Sequence, residues 1–146
     1  MSKSNTFETD LLTLIFNNTD ITTIGDAGGL RGSAVAGSLY ISLHTADPTD
    51  VATQATSEAT YTGYARVALV RTNADWLISG NTASNINTIT FAICTAGSNT
   101  ITHFGVGVSS SGANKLLYSG AITTPLAVSN GITPSFAATV LTVQED

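Results

Sequence analysis

The chain of 146 residues has little charge, few aromatic residues and very little cysteine or proline. Charged residues make up 10% of it, against roughly 25% in an average globular domain. Its net charge is −5, with only five Lys and Arg. So few cations do not easily form the basic face that displaces counterions from phosphates or holds an anionic membrane surface. We therefore expect neither direct nucleic-acid binding nor membrane binding.

A single cysteine, Cys94, excludes an intrachain disulfide. It lies in the apolar run Thr90–Cys94, which predicts a buried and inert thiol. No apolar run approaches the roughly 18 residues of a membrane span. The residues before Phe7 lack the apolar stretch of a secretory signal. The fold must therefore be held by packing and association instead of covalent links.

Small uncharged polar residues are abundant instead, with 24 Thr, 15 Ser and 10 Asn. Threonine suits a pleated strand through its branched Cβ, and its hydroxyl keeps the outer face polar without charge. A polar surface with few charges lacks the repulsion that keeps neighbouring molecules apart. This composition favours a β-rich protein that lies against other proteins.

Near the N-terminus, apolar residues at helical spacing predict a short amphipathic helix over residues 6–17. Asn5 is the expected N-cap, with Glu8 as its capping-box partner. The glycine-rich residues 25–38 that follow predict a long loop. Both segments are candidates for contact with a neighbouring chain, although the helix could equally cover an open end of its own domain. The candidate interface residues in these segments are Phe7, Leu11, Leu14, Ile15 and Leu30.

From residue 39 onward the hydrophobic period changes from helical to two. Leu39, Ile41 and Leu43 alternate with polar neighbours, which predicts a half-buried strand, and residues 49–60 form an exposed polar excursion. Further strands follow at intervals of about 8–12 residues with turn residues between them. We predict an all-β fold, a jelly-roll-like two-sheet β-sandwich over residues 39–146 with one short N-terminal amphipathic helix, in a single domain of residues 1–146.

Few residues could perform catalysis or bind a metal. His44 and His103 do not have the spacing of metal ligands with each other or with Asp47, and no Gly-x-Ser-x-Gly nucleophile elbow is present. The aspartates lack calcium-loop spacing. Gly105 and Gly107 lie within a strand, so they indicate close approach of a bulky group, not a phosphate-binding loop. We expect no catalytic residue, no bound cofactor and no metal site.

The segment from Tyr61 to Arg66 is the densest unusual patch. Tyr61, Tyr64 and Arg66 are residue types enriched at interface anchors, and they complete the set of candidate interface residues. The alternative interpretation is that the tyrosines are ordinary core aromatics and that Arg66 pairs with Glu58. We favour this alternative.

Four blocks of sequence carry a resemblance to a known family: residues 39–48 (LYISLHTADP), 58–67 (EATYTGYARV), 102–107 (THFGVG) and 116–122 (LLYSGAI). With the ending LTV, they resemble small proteins of tailed bacteriophages that are often labelled tail-fibre proteins. Some of these are similar to the cement, or decoration, proteins of phage heads.

The resemblance implies two functions, neither of them enzymatic. The one we rank first is a capsid cement protein on the capsid exterior, assembled in the host cytoplasm, which binds across neighbouring major capsid protein subunits as a homo-oligomer, a dimer or trimer. The alternative is a tail or tail-fibre component that contacts other tail proteins or host-surface glycans. We rank cement first because the chain has no internal repeat of the kind expected in a fibre shaft.

Overall fold

The structure, a computed structural model, describes residues 2–26 and 28–146. The described residues form one helix and nine strands. Their bounds are α1 Asn5–Asn17, β1 Ser38–His44, β2 Val67–Val70, β3 Trp76–Ser79, β4 Thr82–Asn85, β5 Ile89–Thr90, β6 Asn99–Gly107, β7 Leu116–Val128, β8 Ser135–Phe136 and β9 Thr142–Gln144.

The predicted class, all-β with one short N-terminal helix, is confirmed. The strands form three sheets, ordered β2-β1-β6-β7, β3-β4-β9 and β5-β8. They are consistent with a β-sandwich, and the jelly-roll connectivity stays a prediction. The described chain forms two compact units. Unit 1 holds the residues before Leu39 together with Val70–Thr88 and Ala137–Asp146, and unit 2 holds Leu39–Leu69 and Ile89–Phe136.

The helix of unit 1 begins one residue before the prediction and ends where it was expected. Its N-cap is Ser4, whose hydroxyl accepts a hydrogen bond from the Phe7 amide, so the predicted Asn5 cap is wrong. Asn18 ends the helix in the left-handed conformation, with φ of 54°. Asparagine tolerates this backbone geometry better than most residues do, which explains the stop at this position.

Only part of the apolar stripe of α1 is fully buried. Leu12 and Phe16 are completely buried, while Phe7, Leu11 and the neighbouring apolar positions are only half-buried. The Phe16 ring packs edge-on against Trp76, with centroids 4.6 Å apart. The helix therefore covers the sheet β3-β4-β9 of its own unit through Leu12 and Phe16, which belong to its apolar stripe.

A buried asparagine fixes the C-terminal part of unit 1. The Asn85 side chain donates hydrogen bonds to the Asn87 and Ala137 carbonyls at 2.7 and 2.8 Å and accepts one from the Leu141 amide at 2.9 Å. Its own carbonyl accepts from the Thr139 amide. These bonds hold the turn that leads into β9.

In unit 2, β1 pairs with β6 in antiparallel register, which places Ser42 opposite Gly105 and His44 opposite His103. Both Ser42 and His44 are completely buried, so the prediction that β1 is half-buried is wrong. The predicted exposed excursion is also partly wrong, because Gln54 within it is fully buried.

Two alternating glycines of β6 explain this burial. A Cβ on Gly105 would come within 2.6 Å of both His44 Nε2 and Ser42 Oγ. A Cβ on Gly107 would overlap the side chain of Gln54. The prediction that these glycines mark close approach of a bulky group is confirmed.

Candidate functional site

The helical candidate residues lie on the partly covered side of α1. Phe7, Leu11, Leu14 and Ile15 are half-buried. Because the fully buried face holds Leu12 instead, these four side chains are available for only partial contact with another molecule.

Leu30, the candidate in the loop, is exposed over 43% of its surface. Its backbone pairs with Ile21 in an isolated antiparallel bridge, with N···O distances of 2.8 and 2.9 Å. The described part of the loop at residues 25–38 contains no regular element before β1 begins at Ser38, as predicted. Leu30 is thus an exposed side chain on an anchored backbone.

An arginine also fixes the end of this loop to the helix. The guanidinium of Arg71 donates to the carbonyls of Leu14 and Ile15 in the last turn of α1 and to the carbonyl of Ala36. Burial lowers the pKa of Arg71. A cation at the C-terminal carbonyls is favourable because it opposes the negative end of the helix dipole. Sequence reasoning missed this residue, since a lone Arg carries no pattern.

The third group of candidates, in unit 2, forms a hydrogen-bonded cluster around Arg66. Its guanidinium makes a two-pronged ion pair with Glu58, with distances of 2.6 Å from Nε to Oε1 and 2.7 Å from Nη2 to Oε2. It also donates to the carbonyls of Ser109 and Gly112, at 2.9 Å each. The predicted pairing of Arg66 with Glu58 is confirmed, and hydrogen bonding to Glu58 raises the pKa of Arg66.

Tyr64 belongs to the same cluster. Its hydroxyl donates to Glu58 Oε1 at 2.8 Å and accepts from the Leu43 amide at 3.1 Å. Burial raises the pKa of the Tyr64 hydroxyl far above its ordinary value. Its ring stacks with Phe91 and meets Tyr61 edge-on, with centroids 6.3 and 5.4 Å away. Both the hydroxyl and the ring of Tyr64 are therefore used in contacts within the fold, although the residue is only half-buried.

Tyr61 is 3% exposed, and its hydroxyl donates to the Ala92 carbonyl at 3.1 Å. Burial raises the pKa of this hydroxyl as well. The two tyrosines fit the interpretation as core aromatics better than the interpretation as exposed interface anchors. The structure brings Tyr61, Tyr64 and Arg66 together, as one packed and bonded group.

A shallow cavity of about 310 Å³ opens beside this cluster. It is lined by Glu58, Ala59, Tyr64, Ala65, Arg66, Ser110, Ser111 and Gly112. The charged groups at its wall are already committed to one another and to backbone carbonyls. What remains for a ligand is the exposed serine and glycine backbone of the loop before β7.

The two histidines do not converge on a reactive centre. His44 Nδ1 donates to the Thr56 carbonyl at 2.8 Å, and a carbonyl only accepts, so Nε2 is the nitrogen that accepts from the Ser42 hydroxyl at 2.8 Å. Burial lowers the pKa of His44, which keeps the ring neutral. Ser42 and His44 resemble the serine and the histidine of a catalytic triad, but both are 0% exposed, so a substrate does not reach them.

His103 lies half-buried, with Nδ1 2.9 Å from the hydroxyl of Thr102. Across residues 2–26 and 28–146, no three His, Cys, Asp or Glu side chains are placed to share a metal ion. Asp47, considered above as a ligand, accepts a hydrogen bond from the Thr49 amide at 2.9 Å and so closes a turn.

A second groove, of about 300 Å³, lies between the turn at residues 49–52 and the start of β7. It is lined by Thr49, Asp50, Ala52, Leu116, Leu117, Tyr118 and Ser119. Beside it, Val51 is 94% exposed, the highest value among the exposed large hydrophobic residues. No sequence pattern predicts this groove, because it depends on where the polar turn meets the strand.

Cys94 is completely buried and not in a disulfide, as predicted. Within the described residues, no helix has both the length and the apolar character needed to cross a membrane.

No curated protein matches the chain. A family model described as Podophage GP4 fiber I protein gp80 matches residues 2–144, which is nearly the full length. This match agrees with the resemblance of the four sequence blocks to phage structural proteins. The chain therefore belongs to the family Podophage GP4 fiber I protein gp80, a family of bacteriophage structural proteins.

Proposed function

We propose that this protein is a fibre component of the phage particle that acts through contacts with other virion proteins. The observation that carries this proposal is the family match over residues 2–144, whose description names a fibre. The sequence alone ranked capsid cement first and the tail or tail-fibre role second. The family description favours the second role, so we reverse that order.

The distribution of charge supports a role in packing against neighbouring proteins. Two of the five cations, Arg66 and Arg71, are occupied inside the fold by a carboxylate and by backbone carbonyls. Lys3 pairs with Glu145 at 3.1 Å. The surface is therefore dominated by neutral threonine, serine and small apolar side chains, which associate through shape and hydrogen bonding, not through long-range charge.

We further propose that the protein is not an enzyme. The pair that most resembles catalytic machinery, Ser42 and His44, is buried and bonded to the Thr56 carbonyl instead of to a carboxylate. Glu58, a carboxylate beside a cavity, is held by Arg66 and Tyr64. These groups support the fold and have no free capacity for acid–base work.

Localisation on the virion tests the fibre assignment. We would raise antibodies to the purified chain, label intact particles with gold and count its copies per particle by quantitative mass spectrometry. The fibre role predicts gold on fibres and a low copy number. Gold spread over the head, with hundreds of copies, would overturn the proposal and restore the cement role.

A further inference from the structure

The strand β7 forms one edge of the four-stranded sheet in unit 2, and its sequence is unusual for an edge. It runs from Leu116 to Val128, and none of its 13 residues is charged. Soluble proteins generally protect an exposed edge with charges, proline or bulges, because unpaired backbone groups there can bind another strand. Of these, β7 has Pro125 near its end and two register shifts, but no charge. The other edges carry two to four residues each or lie beside acidic residues, as β9 does before Glu145.

Irregularities in the pairing with β6 divide β7 and define its regular part. Register shifts lie between Ile101 and His103 and between Val106 and Gly107 of β6. Between them the residues Tyr118, Ser119, Gly120 and Ala121 pair in unbroken register with Val106, Gly105, Phe104 and His103. This stretch is therefore the part of β7 in which the pairing register is regular.

The outer backbone of this stretch is open in the part of the chain that the structure describes. Neither a further strand nor a backbone hydrogen bond from outside β6 reaches Ser119, Gly120 or Ala121. Ser119 and Ala121 are exposed, and Gly120 lies under the ring of Phe104, so the inner face is already filled. All three side chains are small, which lets another backbone approach closely.

We propose that β7 pairs along Ser119–Ala121 with the same strand of a second copy of this chain, in antiparallel orientation about a twofold axis. An edge strand presents both donors and acceptors, so it is complementary to itself when it is turned by half a rotation. The chain carries a net charge of −5, yet its longest edge is neutral, so two copies meet at this edge without local repulsion.

The test is the association state of the full chain and of charged edge variants, measured by sedimentation over a wide range of concentration. The proposal predicts a reversible dimer that Ser119→Lys weakens about tenfold or more, since a lysine on the edge opposes pairing. Thr142→Lys, on the exposed position of the edge strand β9, is the matched control and leaves association unchanged. Circular dichroism confirms that each variant keeps its strand content.

A mixture of two variants with opposite charges at position 119 distinguishes an effect of charge from a general effect of replacing Ser119. Ser119→Lys and Ser119→Glu are each expected to associate more weakly alone than when combined, since the opposite charges at position 119 of the two copies then lie on the same face as diagonal neighbours, within reach of long side chains. A wild-type chain that stays monomeric at every concentration would overturn the proposal. So would an oligomer that both charged variants leave intact. Neither result depends on whether the protein is located on a fibre or on the head.

Discussion

At the scale of single residues, the glycines of β6 are as important as the side chains they face. Gly105→Ala would place a methyl group 2.6 Å from His44 Nε2 and from Ser42 Oγ, both of which are bonded and buried. We expect the free energy of unfolding to fall by about 1–3 kcal/mol, as for other overpacked cores. Urea denaturation followed by tryptophan fluorescence or circular dichroism measures this.

Gly28→Ala is the matched control for that change. Its nearest neighbours are the flexible end of Arg31 at 3.0 Å and the Asp26 carboxylate at 3.1 Å, on an exposed turn. We expect a change within about 0.5 kcal/mol there. Equal effects at both positions would contradict the proposed reason for the glycine at 105.

His44 should make the stability depend on pH. Burial lowers the pKa of His44 in the folded protein. Just below pH 6.5, the ordinary pKa of histidine, His44 is therefore protonated in more of the unfolded chains than of the folded ones. The free energy of unfolding should therefore fall as the pH falls from 6.5 towards the folded-state pKa, and it should be flat above pH 6.5 from this source. Urea denaturation at several pH values between 8 and about 5.5 measures the slope.

The charged and titratable groups around His44 are Glu58, Arg66 and His103, and His103 is the second histidine of the chain. His103→Gln should therefore retain the pH dependence, and His44→Gln should remove it even if that variant is less stable. A slope that survives in His44→Gln would assign the effect to another group.

At the scale of elements, the helix provides a direct comparison between neighbouring leucines. Leu12 is completely buried and Leu11 only half-buried. Leu12→Ala should lower the free energy of unfolding by about 2–5 kcal/mol, while Leu11→Ala should cost about 1 kcal/mol. The same pair tests the interface role of the half-buried face, because a loss of virion incorporation confined to Leu11→Ala would indicate contact with a partner.

Arg71 connects the end of the helix to the loop that follows it. Arg71→Met removes the donors to the Leu14, Ile15 and Ala36 carbonyls, and we expect a loss of about 2–4 kcal/mol in the free energy of unfolding. Arg31→Met is the control, because Arg31 is 70% exposed and lies 3.8 Å from Asp20, so its removal should cost under about 0.5 kcal/mol. A loss no larger than that of the control would show that solvent replaces Arg71 at the helix end.

The elements that could be predicted from sequence are those whose pattern is local. The helix, the strand from Leu39, the strand from Trp76 and the glycine-rich loop each depend on residues within one window. The buried state of Ser42, His44 and Gln54 could not be predicted, because it depends on glycines more than fifty residues away that leave them space. Which side of the broad apolar stripe of α1 is fully buried could not be predicted either, because apolar side chains on several sides of the helix fit more than one facing surface.

For the candidate site, the pairing of Arg66 with Glu58 was predictable because the two residues are close in sequence. The carbonyls of Ser109 and Gly112 that complete the cluster were not, since any residue supplies a carbonyl and no side-chain type marks it. The open edge of β7 could not be predicted either, because the sequence shows an uncharged strand but not its position at the edge of a sheet.

At the scale of the whole molecule, the low charge should make association with other virion proteins insensitive to salt. Only 10% of the residues are charged, and several of these are paired within the fold. Salt screens exposed charges over about 10 Å at 0.1 M, so contacts made by neutral side chains should persist. We expect the protein to remain on purified particles as the salt concentration is raised, measured by pelleting and immunoblotting. Release in moderate salt would indicate an ionic contact.

The two arginines that are bonded within the fold, Arg66 and Arg71, also restrict how this sequence can diverge among relatives. Arg71 is held mainly by backbone carbonyls, and Arg66 by two carbonyls and one side chain, that of Glu58. The residues that supply these carbonyls can be substituted without loss of the hydrogen bonds to either arginine, because every residue type has a backbone carbonyl. Aligned relatives should therefore show covariation between positions 58 and 66, and an arginine at position 71 that persists while the residues it binds vary freely.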